Sequence, residues 1–169
     1  NGLTVEQKPK QQPKLVSKIS VALSKDENIL LDKPYEGEEK YIFISYAHKD
    51  NHQVFPIIKR IQDEGYAVWY DEGIDPGNEW DDAIAEHIQK AGVMLAFISG
   101  NYINSDNCKD ELNFARDEGI PRILVYLENT ELPAGMKMRL GRQQAIHFYG
   151  YNDKEAFYDK LFDASEVEK

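Results

Sequence analysis

Val93-Met94-Leu95-Ala96-Phe97-Ile98 is the most apolar run in this 169-residue chain. Six consecutive apolar residues show no alternation between inward and outward positions, which marks a strand covered on both faces. The segments on either side read as helices. Upstream, Trp80, Ala83, Ile84 and Ile88 repeat at helical spacing and stop at Gly92. Downstream, Ser105 is suited to cap a helix whose stripe is Cys108, Leu112 and Ala115, and Gly119-Ile120-Pro121 ends it. A doubly covered strand between two helices belongs at the centre of its sheet.

The same alternation continues in both directions. Tyr41-Ile42-Phe43-Ile44-Ser45-Tyr46 is a β-branched and aromatic run expected to be the first strand. Asp50 is placed to cap the next helix, whose stripe is Val54, Ile57, Ile58 and Ile61 and whose end is Gly65. Ala67 to Tyr70 gives a second strand, and Asp71 to Asn78, with Gly73, Pro76 and Gly77, a loop. Beyond the centre, Arg122 to Leu127 gives a fourth strand. An irregular stretch containing Pro133 and Gly135 follows, then a fifth strand from Gln143 to Tyr149. Asn152 is the expected cap of a last helix that turns Phe157, Leu161 and Ala164 inward. Parallel strands need crossover helices, so the reading is a flavodoxin-like α/β fold: five parallel strands, order 2-1-3-4-5, with helices on both faces.

Residues 1–39 are expected to be a flexible extension or linker. The first fourteen carry three Lys, three Gln and two Pro with little to bury. Apolar residues return between Leu15 and Leu31 without separating strand from helix, so partial order is expected there. The domain is drawn as 40–164, with 165–169 a tail. A net charge of −10 disfavours nucleic acid and anionic membrane as partners. A single cysteine, Cys108, forms no internal disulfide and suits a reducing, cytoplasmic setting. No run approaches the roughly 18 to 20 apolar residues that span a bilayer, so no membrane contact is expected of this segment.

In such a sheet ligands gather beyond the strand C-termini where strand order reverses, here between strands one and three. The rim is then Ser45, Tyr46, Ala47 and His48 on one side and Ser99, Gly100 and Asn101 on the other. Glu111 lies at the edge of a buried stripe, at helical spacing from Cys108 and Leu112, which directs it either into that crevice or into solvent. His48 and His52 mimic a metal pair, but no third ligand is suggested and no metal is expected. The acidic run Asp71, Glu72, Asp75, Glu79, Asp81 and Asp82 is either a solvated rim or a surface that meets a basic face on a second copy. No G-x-G-x-x-G or G-x-x-x-x-G-K-[ST] occurs, which disfavours dehydrogenases and P-loop nucleotidases.

Tyr41 to Asp50, Val68 to Gly77, and Phe97-Ile98-Ser99 with Ser105 to Leu112 resemble the three conserved boxes of TIR (Toll/interleukin-1 receptor) domains, bacterial ones especially. The resemblance runs over roughly Lys40 to Phe162. It implies one of two functions in immune or defence signalling. One is cleavage of NAD+ at the nicotinamide-ribose bond to give nicotinamide and ADP-ribose or a cyclic variant, with NAD+ consumed as substrate and no cofactor. The other is a non-catalytic adaptor that works by homotypic self-association. For the enzyme, the resemblance makes Glu111 the catalytic residue. The candidate substrate contacts are Ser45, Tyr46, Ala47, His48, Trp69, Asp71, Ser99, Asn107 and Cys108, with packing the alternative for Trp69, Trp80 and Cys108. Many TIR domains have Trp four residues before the glutamate where this chain has Asn107, so an aromatic platform must come from Tyr46, Trp69, Tyr70 or Trp80. A subunit contact is implied at the loop holding Asp75, Pro76 and Gly77, with Trp80.

Overall fold

The computed structural model describes residues 29–72 and 80–169, and its five parallel strands have the order β2-β1-β3-β4-β5. The strands are β1 (Ile42–Ser45), β2 (Val68–Tyr70), β3 (Val93–Ile98), β4 (Arg122–Tyr126) and β5 (Gln144–His147). The α-helices are α1 (Asn51–Asp63), α2 (Trp80–Lys90), α3 (Gly100–Ile103), α4 (Asp106–Asp117), α5 (Ala134–Leu140) and α6 (Lys154–Phe162). The sheet topology is the expected one, and β3 sits in the middle with every residue buried.

The pleat sorts the strand residues into two cores. Ile42 and Ile44, with Val93, Leu95 and Phe97, pack under α1 and α6 beside Val54, Ile57, Ile58, Ile61, Phe157 and Leu161. Phe43, with Met94, Ala96 and Ile98, packs on the other face beside Ile84 and Ile88 of α2, Leu112 and Ala115 of α4 and Leu140 of α5. Each such side chain contributes roughly 1.5–3 kcal/mol when fully buried, so a continuous apolar run is stable only where both faces are covered. Gly65 and Gly119 end α1 and α4 at φ +90° and +72°, conformations that glycine adopts without a Cβ penalty.

Some expectations are corrected. Asp50 stands at the start of α1 but makes no capping bond; its side chain is turned to β3, as described below. The stretch after β4 is not wholly irregular, because Pro133 precedes a seven-residue helix, α5, whose Met136 and Leu140 face inward one turn apart. The cap of α6 is Asp153, which accepts from the Glu155 N–H at 3.0 Å, and not Asn152. The packed unit also extends on both sides of 40–164. Leu31 is buried, Tyr70 Oη donates to the Asp32 carbonyl at 2.8 Å, and the Tyr35 N–H donates to Val68 O at 2.9 Å, which lays this segment along the edge strand β2. Val167 joins the α1/α6 core. The expectations for residues 1–28 and for Asp75, Pro76 and Gly77 lie outside the described residues, as does the side chain of Trp80.

Candidate active site

Ser45 is the last residue of β1, and the pleat turns it to the same face as Phe43, toward α4. There its Oγ donates to Glu111 Oε2 at 2.6 Å. Glu111 occupies the inner edge of α4, a helix started by the Ser105 side chain accepting from the Cys108 N–H. Below them lies Tyr102 of α3, fully buried, with its hydroxyl 2.8 Å from Ser45 Oγ and 3.2 Å from the Cys108 carbonyl. Ser45 gives its single proton to the carboxylate, so its oxygen accepts from Tyr102, whose proton is shared with the Cys108 carbonyl. This chain of bonds fixes the orientation of Glu111 relative to the tip of β1.

Desolvation dominates the electrostatics. Burial pushes the Glu111 carboxyl up to about 7, with the Asp71 charge adding to the rise and the Ser45 bond and the His48 charge opposing it. His48 is raised by its hydrogen bond to Asp71, whose Oδ2 lies 2.9 Å from Nε2. Burial pushes Cys108 up to about 12, which leaves an inert thiol, and holds Tyr46 and Tyr102 far above the usual phenol range.

Glu111 opens onto a cleft of about 1020 Å³. One wall is Tyr46 to Lys49 together with Asp71; the facing wall is the inner side of α2 from Asp81 to Ile88; the floor and far end are Asn101, Asn104, the cap Ser105 and α4 residues from Asn107 to Phe114. Such a volume suits a nucleotide-sized ligand. Tyr46, Ala47, His48, Asp71, Asn107, Cys108 and Glu111 thus line one cleft. Tyr46 Oη donates to the Asp71 carbonyl at 2.6 Å, joining the tips of β1 and β2.

Three expected contacts are placed elsewhere. Trp69 is a core residue, stacked between Phe43 at 5.0 Å and His87 at 4.2 Å between ring centroids. Ser99 is buried beneath the rim, where its oxygen accepts from the Tyr102 N–H and its hydroxyl donates to Asp50. Ser45 is wholly buried and bears on the cleft only through Glu111. Tyr70 is equally unsuited to be a platform, being buried on the α1 face, so the aromatic rings at the cleft among the described residues are Tyr46 and Phe114. The sequence reading missed Tyr102 and Phe114. Tyr102 follows directly on the Ser99 to Asn101 rim and lies in α3, and Phe114 lies one residue inside the end of the α4 stripe. Among the described residues no group of three or more His, Cys, Asp or Glu is arranged to hold a metal ion, and no helix is long and apolar enough to cross a membrane.

A family profile described as TIR domain matches residues 42–162. Among solved structures, the chain is similar to the TIR domain of the Toll-related receptor TRR-2 from Hydra magnipapillata, with 18% identity and a TM-score of 0.62 over 72% of this chain and 94% of the other. It is similar to a TIR-STING receptor from C. gigas, with 17% identity and a TM-score of 0.56 over 81% of this chain and 44% of that one. It is also similar to the Clostridium botulinum CMP N-glycosidase BcmB, with 16% identity and a TM-score of 0.52 over 72% and 98%. At these identities the likenesses establish the fold. No curated protein matches the chain.

Proposed function

The chain belongs to the TIR domain family, and from that premise we propose that it is an NAD+ nucleosidase, active when self-associated, that breaks the bond between nicotinamide and ribose. The observation that carries this reading is Glu111: a carboxyl group in a nucleotide-sized cleft, pinned by a buried serine at the C-terminal rim of the sheet.

The chemistry needs little else. When the C–N bond breaks, its electron pair goes to the nicotinamide nitrogen, which loses its positive charge and departs as a neutral pyridine. No general acid is required. The ribosyl carbon is left with oxocarbenium character. The Glu111 carboxylate accepts from the ribose hydroxyls and stabilises the developing positive charge, a role that a fixed, partly desolvated anion performs better than water. Water attack, with loss of one proton, completes hydrolysis to ADP-ribose; attack by an adenine nitrogen closes a cyclic product. Tyr46 and Phe114 supply ring faces for a base. Supporting this reading, one of the similar folds is by its name an N-glycosidase acting on CMP, so the sheet and its rim are compatible with N-glycosidic cleavage.

The test is nicotinamide release from NAD+, with CMP as a control substrate, over a range of protein concentrations and beside Glu111→Gln and Glu111→Ala. We expect release that rises faster than linearly with concentration and falls by about 10²-fold or more in both variants. A folded, self-associating protein that releases nothing at any concentration refutes the enzyme and leaves the homotypic adaptor.

A further inference from the structure

The charge on this chain is segregated. From Asp71 to Gln89 there are seven acidic residues and no Lys or Arg, whereas from Leu132 to Asn152 there are three basic residues and no Asp or Glu. The fold places the described helices of these stretches, α2 and α5, on opposite flanks of one face. α2, α4 and α5 all pack on the same side of the sheet, where Ile84 and Ile88, Leu112 and Ala115, and Leu140 share one core. α4 lies between the other two: it packs against α2, and its Asn113 takes a long 3.5 Å bond from Arg139 of α5.

Each flank presents its charge outward. On α2, Asp82 and Glu86 are one turn apart and exposed, beside exposed Asp81. On α5, Met136 and Leu140 turn inward, which throws Met138 to the opposite side, where it is 83% exposed between exposed Lys137 and Arg139. Arg142 follows, also exposed. Among the described residues none of Lys137, Arg139 and Arg142 has a carboxylate within 4.0 Å. With a whole helix between the flanks they stand roughly 20 Å apart, about two Debye lengths at physiological salt, so they do not neutralise each other within one molecule.

We propose that the basic α5 flank, centred on Met138, docks on the acidic α2 flank of a second copy of this chain. The two surfaces differ, so the contact is head-to-tail: every bound copy leaves one acidic and one basic flank free, and the contact repeats into a strand of subunits unless its rotation closes a ring. Asp81 lines the cleft, so the incoming α5 arrives at its mouth, which gives the self-association invoked for activity a specific surface. The proposal rests on that reading for its consequence and on charge and exposure for the contact.

Sedimentation velocity without NAD+ tests it across a wide range of protein concentration, in about 50 mM and about 500 mM salt, which bracket physiological screening. The parent is expected to assemble, with affinity falling at least about tenfold at the higher salt. Lys137→Glu/Arg139→Glu and Asp82→Lys/Glu86→Lys are each expected to remain monomeric. Mixing them is expected to restore assembly, because the two unaltered flanks pair as in the parent and the two reversed flanks are complementary to each other; that rescue also shows both are folded. A monomeric parent, unchanged assembly in the reversals, or a mixture that stays monomeric overturns the contact. So does a monomeric parent that instead retains an oligonucleotide through α5. Nicotinamide release assayed on the same samples separates the two ideas: release by a monomer overturns this contact and the dependence on assembly but leaves the chemistry standing, and assembly without release overturns the chemistry alone.

Discussion

Replacing Glu111 with Gln is expected to stabilise the fold, and to do so only as pH rises. Gln keeps an acceptor for Ser45 Oγ and removes the charge, while the parent must hold a carboxylate where burial disfavours one. The folded group has been raised from 4.5 to about 7. Between those values the folded protein holds a proton that the unfolded chain has released, so the parent loses stability as pH climbs through this window. Below it the cost vanishes, and above it the cost is complete. At about 1.4 kcal/mol per unit the full penalty is about 3 kcal/mol, a ceiling because Glu111 is half-buried and faces the water of the cleft. By linkage the variant should lead by under about 1 kcal/mol at pH 5 and by up to about 3 kcal/mol at pH 8.5. Urea denaturation of both proteins at the two pH values reads this directly. With a slope of about 2 kcal/mol per molar, the gap between midpoints should widen by about 1 M. His48 keeps its Asp71 partner in both proteins, so its titration largely cancels in the difference. A gap that is the same at both pH values, or that narrows with rising pH, refutes the claim that Glu111 is held in a desolvated site.

The same carboxyl sets the pH profile: kcat/KM for nicotinamide release, measured in the assembled protein, should rise about tenfold per unit below a bend near pH 7 and level off above it. Tyr102→Phe removes the hydroxyl that backs Ser45 and should lower kcat roughly tenfold with little change in KM, because the carboxylate is loosened and not removed. Its cost in urea denaturation should be about 1 kcal/mol, and an unchanged kcat would deny Tyr102 a positioning role. Gly65→Ala meets no atom within 4 Å of the added carbon, so its penalty is purely that of φ +90°: about 1 kcal/mol, or a melting temperature about 2–4 °C lower by calorimetry.

The sheet was legible because its inner strands β1, β3 and β4 carry short continuous apolar runs separated by strong breakers. Burial on both faces demands that pattern, and few other structures do. Helix α5 was not, because Pro133 and Gly135 read as punctuation and the two inward residues Met136 and Leu140 span one turn. Asn152 and Asp153 are both good caps, and nothing local decides between them. The site was legible where chemistry is tied to position along the chain: Glu111 at the edge of a stripe, and Tyr46 and His48 after a strand. It was not where a partner is remote in sequence. Asp50 had the identity and location of a cap, and only the fold brings up Ser99 and Asn101 to claim it. Trp69 lies mid-strand in a three-residue element, where alternation alone left both packing and ligand contact open, and the fold settles it as packing.

Asp50 repays this diversion. The paired rungs of β1 and β3 stop at Ser45 and Ala96, and past them the two chains part to frame the cleft. Asp50 bridges that gap from beneath, with one oxygen held by Ser99 and the other by the Asn101 amide at 2.7 Å, almost without exposure. Prising the strand ends apart would strand a buried acid without its donors, which costs far more than sliding a packed helix. Beneath the cleft, the ends of β1 and β3 are therefore tied together by one buried acid, and spreading them apart is costly.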